Sequence, residues 1–169
     1  LFPQFLSEQV ALNSLPFLSS LATIDRNLYQ IERHEDVLSD FTTLELLSQE
    51  DPYDLTFEFA AGITLHQSNF AIDEIREALL NDSVDVDTSQ LSQLVASSHC
   101  NLLTYRQQFK GTLKVISQQE FDWISSLLQG HSIGLCLDLM ADTDFNIELW
   151  LTTAIKDELI TAVTLISTN

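Results

Sequence analysis

The segment Asn101 to Ile166 constrains the fold most, because its pattern changes from strand-like to helical within a few residues. Leu102 to Gln107 and Leu113 to Ile116 are predicted strands, and Lys110-Gly111 between them predicts the turn of a hairpin. Helical spacing of apolar residues then predicts three helices, at 119–128, 133–140 and 146 to about 166. A hairpin followed by three helices is the element order of a winged helix-turn-helix.

Residues typical of helix starts support these three helices. Ser117 with Glu120 forms a capping-box pattern before the first helix, and Ser132 precedes the second. Thr143 or Asp144 is the predicted cap of the third helix. The sequence therefore predicts three separate helices joined by short turns.

The first half of the chain predicts helices and short strands. A helix is predicted to open at Pro16, and Ile72 to Leu80 has the spacing of a second helix. Leu55 to Phe59 and Ile63 to Leu65 alternate as half-buried strands do. Residues 81–98 are rich in Asp and Ser, which predicts a linker. We therefore expect an α+β protein with an N-terminal helical part (1–80) and a winged-helix-like part (99–169), whose strands could pair across the linker.

Charge narrows the function classes. The 169 residues include 25 acidic and 7 basic side chains, a formal charge of −18. Such acidity opposes binding to nucleic acid or anionic membranes, because phosphate binding needs clustered Lys and Arg. It favours a basic partner. Two cysteines, with no apolar run near the ~18 residues of a spanning helix, predict a reducing, cytoplasmic location.

Few residue patterns carry chemistry. The chain has no Cys-x-x-Cys and its four histidines are scattered, so we expect no metal or cofactor in this chain. It has no Gly-x-Ser-x-Gly elbow and no Gly-x-x-x-x-Gly-Lys cradle, so catalysis by the chain alone is not expected. The predicted third helix carries a single cation, Lys156, which disfavours DNA recognition.

Two small sets of residues remain open to more than one interpretation. Arg106, Lys110 and Lys114 form a basic cluster on the hairpin, which is either solvated surface or a contact for a partner's acidic patch. Phe145 and Trp150 either belong to the core or line a groove beside the hairpin.

The sequence resembles the bacterial HvfC-like family, once classed as DNA-binding. The resemblance begins at Phe5-Leu6, followed by Leu15-Pro16-Phe17-Leu18 through Ile24-Asp25, and continues in the strand-then-helix block Gly62 to Leu80. It extends to Leu103-Thr104-Tyr105-Arg106, to Leu113-Lys114-Val115, to Gln119-Glu120-Phe121 through Ser132, and to Trp150-Leu151. The family's Pro after His66 is replaced by Gln67, and its long N-terminal helical region is missing, as in the methanobactin-biosynthesis branch.

This resemblance implies a function. Family members are partner subunits of a TIM-barrel enzyme with a multinuclear iron centre. In the methanobactin branch, the pair converts cysteines of a ribosomal precursor peptide to oxazolone and thioamide groups, giving a copper chelator. The iron ligands belong to the partner, so this chain resembles a non-catalytic, leader-peptide-binding subunit on a winged-helix scaffold. Leaders in that branch are basic, in agreement with the charge of −18.

We expect the leader to add a strand to the hairpin edge, walled by the third helix. The predicted peptide-binding residues are Leu113, Lys114, Val115, Ile116, Ser117, Asp144, Phe145, Glu148, Leu149 and Trp150, and the predicted partner-binding residues are Arg106 and Lys110. The alternatives are a winged-helix DNA-binding regulator and a structural adaptor that never contacts the peptide.

Overall fold

The computed structural model describes residues 2–7, 15–35, 37–80 and 99–166. Its described part contains seven α-helices and five strands, with two short 3-10 helices, Phe41–Glu45 and Pro52–Asp54. In chain order the elements are α1 (Phe2–Ser7), α2 (Leu18–Ile31), α3 (Leu46–Gln49), β1 (Leu55–Phe59), β2 (Thr64–Ser68), α4 (Ile72–Leu80), β3 (Cys100–Gln107), β4 (Lys110–Ile116), α5 (Gln118–Leu128), α6 (Ile133–Met140), α7 (Ile147–Lys156) and β5 (Ile160–Leu165). The predicted α+β class is confirmed.

The strands form two small antiparallel sheets, one of order β2-β3-β4 and one of order β1-β5. In both sheets, strands from before residue 81 pair with strands from after residue 98. The predicted linker, 81–98, lies outside the described residues. Backbone pairing therefore crosses the predicted boundary between the two parts of the chain.

Strand β3 divides the hydrophobic core, because its alternate side chains enter two different clusters. Leu103 and Tyr105 pack in the larger cluster, with residues of β1, β5 and helices α5 to α7. Cys100 and Leu102 pack in the smaller cluster, with residues of α2 and α4. The three-stranded sheet is therefore a layer between two sets of helices, and each of its faces has different neighbours.

Aromatic side chains fill the larger cluster. Trp123 is fully buried, 5.4 Å from the ring of Trp150 and 5.0 Å from that of Phe145 between ring centroids. Phe57 stands 5.5 Å from Trp150. Leu128, at the end of α5, is 44% exposed, whereas Trp123 in the same helix is fully buried.

The predicted last helix was too long. The observed helix, α7, ends at Lys156. Glu158 then adopts a φ of +59°, and β5 follows. The run Ile160–Leu165 is rich in β-branched residues, which suit a strand, and it finds a partner in β1. The helix is capped by Asn146, whose side chain accepts from the Leu149 N–H, rather than by Thr143 or Asp144.

The hairpin turn also differs from its prediction. Lys110 and Gly111 lie within β4, opposite Gln107 and Arg106. The turn residues are Gln108 and Phe109, with φ of +46° and +70°. Both dihedrals fall in the left-handed region that a two-residue hairpin turn requires, although neither residue type favours it.

Candidate functional site

β4 is the last strand of its sheet, paired with β3 on one side. The direction of its backbone groups follows from Gly111, whose N–H donates to Glu32 Oε1 at 3.1 Å and therefore points away from β3. N–H groups alternate in direction along a strand, so those of Leu113 and Val115 also point away from β3. We call the outward backbone groups of Leu113 and Val115 the open edge.

The open edge is uncovered among the described residues. No described residue forms a hydrogen bond to the outward backbone groups of Leu113 or Val115. The outer side of β5 differs, since the Val163 N–H donates to Thr43 Oγ1 at 2.9 Å and the Asp40 N–H donates to Thr161 O at 2.8 Å. An unpaired strand edge is a template for pairing with another polypeptide.

Helix α4 lies beside the open edge. Leu113 and four α4 residues line a cleft of about 390 Å³, which we call the α4 cleft; the helix contributes Asp73, Arg76, Glu77 and Leu80. Arg76 is engaged elsewhere, because its Nε lies 2.8 Å from Asp25 Oδ1. Within the described residues neither Asp73 nor Glu77 forms an ion pair. The cleft is therefore walled by carboxylates.

The other face of the hairpin carries a partly buried charged group. Lys114 Nζ lies 2.9 Å from Asp157 Oδ2, with side chains only 29% and 15% exposed. Burial, helped by Asp157, raises the pKa of Tyr105 to about 12. Burial also raises the pKa of Glu120, although Lys114 opposes this. Lys114, a predicted peptide-binding residue, is thus already paired within the chain.

The predicted third helix, α7, was expected to line the hairpin edge with its first turn, but it meets the hairpin at its other end. Hairpin contacts reach the C-terminal end of α7, where Gln107 Nε2 donates to Lys156 O at 3.4 Å. Glu148 is exposed in the first turn of α7, about 12 Å from Lys156 along the helix axis at 1.5 Å per residue. Asp144 is exposed just before the helix begins. Leu149 is 67% exposed, whereas Trp150 is 5% exposed and belongs to the core.

Of the remaining predicted site residues, Ile116 is the last residue of β4 and Ser117 follows it. Ile116 is buried in the larger cluster, and the Ser117 hydroxyl accepts from the Glu120 N–H as the cap of α5. Phe145 packs against Trp123. The structure thus brings the β4 residues together with α4, and sequence reasoning missed Asp73 and Glu77.

A second cleft of about 510 Å³ lies at the hairpin tip. Its apolar lining includes Val37, Leu38 and Phe109, which are 58%, 92% and 70% exposed. Arg106, a predicted partner-binding residue, also lines it; this residue donates to the carbonyl oxygen of His34 and lies 5.3 Å from the Phe109 ring centroid. Lys110, predicted with it, is exposed at the start of β4.

Within residues 2–7, 15–35, 37–80 and 99–166, no group of three or more His, Cys, Asp or Glu side chains is arranged to hold a metal ion. In the same part of the chain, no helix has the length and apolar character needed to cross a membrane. Comparison with protein-family models, with curated proteins and with solved structures finds no match to this chain.

Proposed function

We propose that this chain is a non-catalytic subunit that captures a basic precursor peptide by adding it as a strand to the open edge of β4. The hairpin and helices α5 to α7 follow the order of a winged-helix, peptide-recognition scaffold. The observation that carries the proposal is the pair of outward N–H groups at Leu113 and Val115, which meet no partner among the described residues. Strand addition supplies main-chain hydrogen bonds worth roughly 0.5–1.5 kcal/mol each, net.

Charge supports a basic peptide. The formal charge of −18 attracts cationic chains at long range, and Asp73 and Glu77 place carboxylates beside the open edge. The resemblance to the HvfC-like family supplies the rest of the proposal: a TIM-barrel partner holding several irons, and a peptide whose cysteines become oxazolone and thioamide groups of a methanobactin-type copper chelator. Arg106, near the end of β3, and Lys110, at the start of β4, are proposed to face that partner.

A synthetic ten-residue peptide of alternating Lys and Thr tests strand addition. We expect it to bind the chain, and N-methylation of every backbone nitrogen to abolish binding, because each blocked hydrogen bond lowers affinity roughly two- to tenfold. Equal affinity of the methylated peptide, measured by fluorescence anisotropy, would contradict the proposal.

A proline substitution tests the same edge from the side of the protein. Val115→Pro removes one outward N–H without breaking a bond to β3, so the fold should persist while peptide affinity falls. Gln67→Pro is the control at the other edge of the same sheet, because the Gln67 N–H occupies the equivalent outward position on β2; this substitution also removes the hydrogen bond from Gln67 Nε2 to Asn101 Oδ1 at 3.0 Å. A greater loss of binding in the Gln67 variant would place the peptide on the wrong strand for this proposal.

A further inference from the structure

The two faces of a strand docked on β4 would meet different surroundings. Leu113 packs with the smaller cluster on the α4 side, whereas Lys114 turns to the other face and pairs with Asp157. Side chains alternate along a strand, so Val115 shares the face of Leu113. A peptide residue directly opposite Leu113 or Val115 would therefore project its side chain towards α4, and its neighbours would project towards Lys114.

The α4 face presents two carboxylates, Asp73 and Glu77, that form no ion pair with described residues. Asp73 and Glu77 are four residues apart on α4, so they lie on one side of the helix and line the α4 cleft together. Arg76, the cation in that cleft, is bound to Asp25. On the opposite face the charge of Lys114 is balanced by Asp157 at 2.9 Å, and the nearby Glu120 is half-buried, with a pKa that burial raises. The surroundings of the two peptide faces thus differ in charge.

The geometry points to Asp73 and Glu77 as residues that determine specificity, selecting Lys or Arg at alternate positions of the docked peptide. This inference rests on the proposed function, because only an extended strand has two distinct faces at this edge. Backbone pairing with the open edge would fix the direction in which each peptide side chain points. Asp73 and Glu77 can therefore select the residues at alternate positions. Leu80, 65% exposed at the end of the same cleft, would cover the aliphatic stem of the cation.

Two isomeric peptides test the inference. Both have ten residues of alternating Lys and Thr, and both are N-methylated at every second nitrogen, so that only the unmethylated residues can face β4. In one isomer the lysines are the methylated residues, and in the other they are the unmethylated ones. The two isomers therefore present their lysines on opposite faces while composition and charge stay equal. We expect the isomer whose lysines lie opposite Leu113 and Val115, and so face α4, to bind roughly two- to tenfold more tightly, as two partly exposed ion pairs allow.

Variants of the full chain identify the source of that preference. We expect Asp73→Asn/Glu77→Gln to lose it, and Glu77→Gln alone to reduce it. Glu45→Gln/Glu50→Gln removes the same charge from exposed residues away from the cleft and should retain the preference. Retention of the preference in the α4 double variant, or its loss in Asp144→Asn/Glu148→Gln on α7, would overturn the inference.

The peptides also separate this inference from the proposed function. Equal binding of the two isomers by the unaltered chain would overturn the selection by α4 and leave strand addition standing. Failure of the unmethylated peptide to bind would overturn both. A preference that weakens as salt is raised agrees with selection by partly exposed carboxylates, and one that salt leaves unchanged opposes it.

Discussion

β4 passes close to α2 at Gly111, and this position offers a sharp test of the packing. A Cβ added to Gly111 would lie 2.8 Å from the carbonyl oxygen of Leu28 and 3.2 Å from its carbonyl carbon and Cα. All three contacts are with backbone atoms, so no side chain can rotate to relieve them. Gly111→Ala must therefore displace either the strand or the helix.

The magnitude follows from two opposing effects. Overpacking of this kind costs about 1–3 kcal/mol. Replacing Gly by Ala also restricts the unfolded chain, which returns about 0.4–1 kcal/mol. We expect a net loss of about 1–2 kcal/mol in the free energy of unfolding, measured by urea denaturation. Peptide affinity should also fall, because β4 would move relative to α4.

Gly134 provides the comparison. A Cβ there would lie 2.8–2.9 Å from ring atoms of Tyr53, a side chain that substitution can shorten. Gly134→Ala should therefore be partly rescued by Tyr53→Leu, with a favourable interaction energy in a double-mutant cycle. Stability of Gly111→Ala within about 0.3 kcal/mol of the unaltered chain would refute the close approach of β4 to α2.

Three other predictions concern stability and reactivity. Because folding raises the pKa of Tyr105 from 10.0 to about 12, stability present below pH 10 should be lost as pH rises through 12, and Tyr105→Phe should remove that loss in alkaline urea titrations. Burial raises the pKa of Cys136 to about 11 and also raises that of Cys100, so a thiol reagent at neutral pH should label neither until the protein is unfolded; rapid native labelling would contradict their burial. Trp123→Ala should cost about 3–5 kcal/mol, whereas Leu149→Ala on the exposed side of α7 should change stability by less than about 0.5 kcal/mol; equal losses in thermal unfolding would refute the assigned core.

Local signals in the sequence located many of the helix boundaries. Ser117 and Ser132 cap α5 and α6 as predicted, because a hydroxyl that accepts from an N–H three residues later is a short-range interaction. Gly130, with φ of +88°, follows α5 for the same local reason. Such features depend on a few neighbouring residues, and the sequence contains them.

Strand β5 could not be predicted in this way. Its apolar residues continue the spacing of α7, and its partner β1 lies about 100 residues earlier, for example Thr56 opposite Thr164. The hairpin turn was misplaced because Gln108 and Phe109 are not turn-forming residues, whereas Gly111 is. Tertiary pairing therefore overrode the local preference in both places.

The candidate site combines a predictable element with an unpredictable one. The hairpin strands followed from their composition, and β4 is an edge strand of the observed sheet. That α4 lines the cleft could not be predicted from the sequence. Asp73 and Glu77 precede Leu113 by more than 30 residues and meet it only through the packing of α4. Acidic residues on a helix surface are ordinarily solvated, so nothing in their spacing distinguished them.

Amide hydrogen exchange at β4 tests the open edge most directly. In the free chain we expect fast exchange at Leu113 and Val115 and slow exchange at Thr112 and Lys114, whose N–H groups point to β3. Adding the alternating Lys-Thr peptide should slow exchange at Leu113 and Val115 and leave the outward amides of β2 unchanged. Unaltered exchange at Leu113 and Val115 with the peptide bound, or protection of β2 instead, would contradict peptide capture at this edge.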